Sequence, residues 1–64
     1  MEGTQQHARE LELALADQAR LGDVYARAVG TSAEMSAYIQ LREVGERVAY
    51  WDARVRSAAG APAR

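Results

Sequence analysis

The chain has 64 residues, and nine acidic against eight basic side chains leave a net charge of −1. A domain this small buries only about 60% of the surface that its unfolded chain exposes, so such folds usually need disulfides, a metal or association. There is no cysteine and only one histidine, which leaves oligomerisation as the expected device. The near-zero net charge excludes a global field that would attract nucleic acid or anionic lipid.

The composition also indicates where the protein works. No apolar run reaches the length of about 18 residues that reads as a membrane span, and the start of the chain lacks the basic and apolar pattern of a signal peptide. We therefore expect a soluble, cytoplasmic protein. All the basic residues are arginine, and alanine, valine and glycine are abundant, which is typical of GC-rich genomes such as those of actinobacteria and their phages.

An amphipathic helix is predicted over about residues 5–29, after an N-terminal lead at residues 1–4. Apolar or small residues recur there at alternating steps of three and four, the spacing of one helix face. This face is the predicted seam of helix 1: Ala8, Leu11, Leu15, Gln18, Gly22, Tyr25 and Val29.

A turn is predicted at residues 30–31. Gly30 can adopt the left-handed conformation that closes a helix. Thr31 and Glu34 form a Thr-x-x-Glu capping box, which is typical of a helix start. The chain is therefore expected to fold back at this point.

A second helix is predicted over about residues 32–59, followed by a disordered tail at residues 60–64. Its predicted seam comprises Ala37, Leu41, Val44, Val48, Trp51, Val55 and Ala58. Folding back the two seams sets Gln18 opposite Val48 and Tyr25 opposite Leu41. The predicted fold is an all-α antiparallel two-helix hairpin of the coiled-coil type, which dimerises into a four-helix bundle.

Several large apolar side chains stay outside the paired seams, and they form the predicted partner interface. These residues are Leu13, Leu21, Val24, Met35, Tyr38, Ile39 and Tyr50. Their number indicates a second helix contact, for which a two-fold homodimer is the simplest closed assembly. A different protein that uses the same surface is the alternative.

The residues that could carry chemistry are few. His7 with Glu10 is a poor metal motif, and the serines lie far in sequence from the single histidine. We therefore expect no enzyme activity, no catalytic residues, no cofactor and no metal. Gln18 and Gly22 mark the weakest-packed part of the predicted seam, where a small ligand inside the hairpin would bind.

Three arginines, Arg9, Arg20 and Arg27, lie in a narrow sector on the back of helix 1. The predicted architecture resembles the small RNA-binding Rop-type hairpin dimers in length, turn position and loose tail, although no sequence motif matches. That resemblance implies RNA or DNA binding as an alternative function, but it identifies no binding residues; the arginine stripe itself offers the candidate contacts. The first interpretation is instead a protein–protein interaction module, such as an adaptor, regulator or assembly subunit. A structural subunit of a phage or multisubunit particle is the third.

Overall fold

The computed structural model describes the backbone of residues 2–60 and the side chains of residues 5–58. Two helices of 27 residues each, α1 (Glu2–Ala28) and α2 (Glu34–Gly60), pack against each other in antiparallel directions. The predicted all-α two-helix architecture is thereby confirmed. At a rise of about 1.5 Å per residue, each helix is about 40 Å long. Neither helix is long and apolar enough to cross a membrane over the described residues.

The helix bounds differ from the predicted ones. Helix α1 begins at Glu2, inside the predicted lead. The connection comprises residues 29–33 instead of the predicted two. Gly60, the first residue of the predicted tail, is the last residue of α2. The rest of that tail, residues 61–64, lies outside the described residues.

Thr31 caps both helices. Its backbone N–H and its hydroxyl donate to the Ala28 carbonyl at 2.9 and 2.6 Å, which satisfies the end of α1. Its hydroxyl oxygen accepts from the Ala33 N–H at 3.1 Å, and the Glu34 carboxylate accepts from the Gly30 N–H at 3.0 Å. Gly30 has the left-handed φ of 86°. Both donors stand one residue earlier than in a standard capping box, which lengthens the connection.

The seam follows a strict three-and-four spacing on both helices. In α1 the partly or fully buried positions with this spacing are His7, Leu11, Ala14, Gln18, Leu21, Tyr25 and Ala28. In α2 they are Glu34, Ala37, Leu41, Val44, Val48, Trp51 and Val55. The predicted seam of α2 is thus largely confirmed, although Ala58 is exposed. Among the described side chains, the buried hydrophobic residues are Ala14, Ala28, Ala37 and Val44, so the core is thin.

In α1 the predicted seam is wrong at alternate positions, because the residue before the predicted one faces α2. The replacements are His7 for Ala8, Ala14 for Leu15, Leu21 for Gly22 and Ala28 for Val29. The larger apolar residues Leu15 and Val29 therefore lie outside the hairpin's own core.

The predicted register is also wrong, by about one helical turn. Gln18 lies beside Gly45, and the rings of Tyr25 and Tyr38 are 6.1 Å apart, so each contact is three residues away from its predicted partner. In a hairpin, two paired residues lie at equal sequence distances before and after the middle of the connection. The position of the connection therefore sets the register. The middle of the connection is Thr31, whereas the predicted pairing was centred two residues later.

Candidate interaction surfaces

Eight large apolar side chains of the described residues are between 41% and 66% exposed. They are Leu13, Leu15, Val24, Val29, Met35, Tyr38, Ile39 and Tyr50. Six of the seven residues of the predicted partner interface are among them. The exception is Leu21, which is half-buried in the seam. It faces α2 because the α1 residues at alternate seam positions lie one residue before the predicted ones. That another chain covers the exposed residues stays a prediction.

One side of the hairpin, here called the glycine face, consists of residues spaced seven apart that each directly follow a seam residue. The glycine face comprises Ala8, Leu15 and Gly22 in α1, Val29 directly after α1, and Tyr38 and Gly45 in α2. In an antiparallel pair, residues that follow the seam on both helices lie on the same side. The residues of the face are uncharged as far as Asp52 at its end, and Glu12 and Arg42, which follow the seam residues Leu11 and Leu41, border it.

The two glycines of this face stand in helix interiors. Glycine there is about 0.8–1.0 kcal/mol less favourable than alanine. A methyl group added at Gly22 would meet no atom within 4 Å, and one added at Gly45 would meet only the Gln18 amide nitrogen, at 3.8 Å. Contacts inside the hairpin therefore do not require glycine at either position.

This face is not evident from the sequence pattern, because the spacing of Leu15, Gly22 and Val29 also fits the predicted seam of α1. The signal that separates the two faces is the position of the turn. If the register is centred on Thr31, the seam residues of α2 pair with the residues that directly precede these three. Leu15, Gly22 and Val29 then point to one side of the hairpin.

The opposite side of the hairpin is charged. The Arg47 guanidinium of α2 donates to the Asp17 carboxylate of α1 at 2.7 Å, and Arg20 donates to the same carboxylate at 3.2 Å. The hydrogen bond from Arg20, and then the one from Arg47, lowers the pKa of Asp17 below its ordinary value. Because all three side chains are largely exposed, each pair by itself stabilises the fold only weakly.

The predicted arginine stripe overlaps this charged side. Arg9, Arg20 and Arg27 are all exposed on α1. The carboxylate of Asp17 binds the middle one, Arg20, and so reduces the positive charge that the stripe offers to a phosphate. The use of the stripe for nucleic acid stays a prediction.

An aromatic cluster lies at the open end of the hairpin. The His7 and Trp51 ring centroids are 5.7 Å apart, and Tyr50 contacts Trp51 edge-on at 4.9 Å. The Arg54 guanidinium lies 5.6 Å from the centre of the Tyr50 ring. His7 is half-buried, and its Nδ1 atom has no hydrogen-bond partner. The cluster joins the two helices and extends outward through Tyr50.

The described residues do not bring together groups for metal or small-molecule chemistry. Among them, no three His, Cys, Asp or Glu side chains stand close enough to hold a metal ion. No cavity is present beside Gln18 and Gly22, or elsewhere in this part of the chain.

No protein-family model, curated protein or solved structure matches the chain. The geometry alone defines its class: a two-helix hairpin with one charged side, one uncharged side that contains two glycines, and further apolar residues on its outer surface.

Proposed function

We propose that the protein is a small non-enzymatic interaction module, an adaptor, regulator or assembly subunit that works as a homodimeric four-helix bundle. It binds another protein through apolar helix faces. The observation that supports this proposal most strongly is the imbalance between exposed and buried apolar residues. Eight large apolar side chains are exposed, whereas the buried hydrophobic residues are three alanines and one valine.

The shape of the hairpin supports association. The two described helices lie side by side in one layer, so each has faces that the other does not cover. Stable domains bury their apolar faces between layers, and a second copy of the chain would supply the missing layer.

The outer surface of α2 offers a site for a different protein. Met35 and Ile39 are one turn apart, and Tyr50 follows Ile39 by about three turns on the same side of the helix. Their side chains are 66%, 46% and 52% exposed. Apolar anchors at such intervals are typical of a helix that binds in a groove, and tyrosine is enriched among energetically important contacts.

Nucleic-acid binding has less support. Phosphate recognition needs uncompensated positive charge, whereas Asp17 binds Arg20 and the whole chain carries a net charge of −1. Reversing the charge of Arg9, Arg20 and Arg27 together separates the two functions. We expect a protein complex formed through apolar faces to persist, whereas a nucleic-acid complex would be lost.

Site-specific photocross-linking in cells that express the protein tests the proposal. A benzophenone side chain at Ile39 should give a discrete adduct with a different protein. The matched control places the same group at Ala16, an exposed position on the outer side of α1. The Ile39 adduct should weaken when Tyr50 is changed to alanine. Equal adducts from Ala16, adducts with nucleic acid, or no protein adduct from Ile39 would contradict the proposal.

A further inference from the structure

We propose that a second copy of this chain packs its glycine face against the glycine face of the first, with the copies related by a two-fold axis. This inference rests on the proposed homodimer and adds which side of the hairpin forms it. The outer surface of α2, with Ile39 and Tyr50, then stays available for a different protein.

The exposed area matches what such a dimer needs. The chain exposes 4751 Å², whereas a compact monomer of 7.0 kDa exposes about 4000 Å² by the usual scaling of surface with mass. The surplus of about 700 Å² is close to the roughly 800 Å² that each partner buries in an interface of standard size. One further copy is therefore enough to cover it.

The distribution of charge selects the glycine face. Asp17, Arg20 and Arg47 form ion pairs on the opposite side, and burying them in an interface would require their desolvation. The residues of the glycine face are uncharged until Asp52, at the open end of the hairpin, and the charged residues Glu12 and Arg42 lie only at its border, where they can stay in solvent. A two-fold axis brings the same patch of both copies together, and an uncharged patch is complementary to itself.

The glycines fit a close approach of helices. A Cβ atom added at Gly22 would meet no atom within 4 Å, and one added at Gly45 would meet only the Gln18 amide, so the hairpin itself leaves space beside both glycines. Small residues let the backbone of a facing helix come nearer than large side chains do, since interaxial distance depends on the residues at the contact. Leu15 and Val29, spaced seven residues from Gly22, flank this gap and supply apolar surface on both sides of it.

Sedimentation equilibrium of the full chain tests the inference. Changing Gly22 to glutamine should raise the dimer dissociation constant at least about tenfold, because the longer side chain holds the facing helix away. Glutamine favours helix more than glycine does, and its Cβ meets nothing in the hairpin, so the variant keeps its own helices. The matched control, A16Q, changes an exposed outer residue of α1 and should leave the constant within about twofold.

A distance measurement keeps the test independent of that variant. The chain has no cysteine, so A19C and A16C can each carry one nitroxide label. Ala19 directly follows Gln18 of the seam and borders the glycine face, whereas Ala16 lies on the outer side at nearly the same height. The distance between labels across the dimer should be shorter for A19C than for A16C.

The outcomes separate this inference from the function on which it rests. A wild-type dimer that G22Q leaves unchanged, or a shorter distance from A16C, overturns the glycine face and leaves the homodimer standing. A wild-type chain that stays monomeric at hundreds of micromolar overturns both.

Discussion

Replacing Gly22 with alanine tests the glycine face through the sign of a stability change. In a single hairpin the added methyl group meets no atom within 4 Å. Alanine is about 0.8–1.0 kcal/mol more favourable than glycine in a helix interior, so the dissociated chain should become more stable by about that amount. For a domain of this size, the shift in Tm should be about 4–8 °C upward.

The dimer should respond in the opposite direction. A methyl group forced into a packed helix contact typically destabilises by about 1–3 kcal/mol, which cancels or exceeds the gain in helix propensity. Thermal unfolding followed by circular dichroism, at protein concentrations below and above the dissociation constant, measures both states. The variant should be more stable than the wild type at low concentration and equal to it or less stable at high concentration.

A control distinguishes packing from propensity. The reverse change at the exposed outer residue Ala16, A16G, should lower stability by about 1 kcal/mol at every concentration, because only helix propensity changes there. If G22A stabilises equally at all concentrations, no helix packs closely on Gly22, and the reasoning is refuted.

Three further predictions concern the turn and the charged side. Gly30→Ala should destabilise the hairpin by about 1–2 kcal/mol in urea unfolding, because φ is 86° there and a Cβ clashes in the left-handed region; an unchanged midpoint would contradict this. Thr31→Val should lower stability by about 1 kcal/mol, since the hydroxyl bonds to both helix ends are lost, whereas T31S should keep most of it. Folding depresses the pKa of Asp17 through Arg20 and Arg47, so its contribution is present above the ordinary pKa of about 3.9 and is lost as the pH falls through the folded value. D17N should therefore reduce the acid sensitivity of the urea midpoint, and an unchanged pH profile would count against the ion pairs.

The elements of the fold are readable from the sequence because local signals specify them. The three-and-four spacing predicts both helices, and Gly30, Thr31 and Glu34 act in the turn as their residue types predict. The seam of α2 is readable for a similar reason: Val44, Val48 and Trp51 leave few alternatives on that helix.

The seam of α1 could not be read in the same way, because this helix has two apolar faces. Leu15 and Val29 outrank Ala14 and Ala28 in hydrophobicity, so a rule that assigns the larger residues to the core selects the wrong face. Packing reverses that preference, because two closely packed antiparallel helices leave room for only a small side chain such as alanine at these layers. The polar residues His7, Gln18 and Glu34 also occupy seam positions, which weakens the pattern further.

The exposed apolar residues of the outer surface were predictable to the extent that they do not fit either seam. Met35, Ile39 and Tyr50 stand out on any helical wheel of α2, whereas Leu21 was misassigned together with the seam of α1. The cross-helix pair of Asp17 and Arg47 depends on the register, so no local pattern in the sequence indicates it.

The central claim is that a single layer of two helices becomes a stable fold by packing on a second copy of itself. Sedimentation equilibrium and circular dichroism on the same wild-type samples, from low micromolar to hundreds of micromolar, test it most directly. We expect a species of twice the 7.0 kDa chain mass, which dissociates on dilution into a less stable hairpin that loses part, but not all, of its helix content. A 7.0 kDa species with full helix content across the whole range would contradict it.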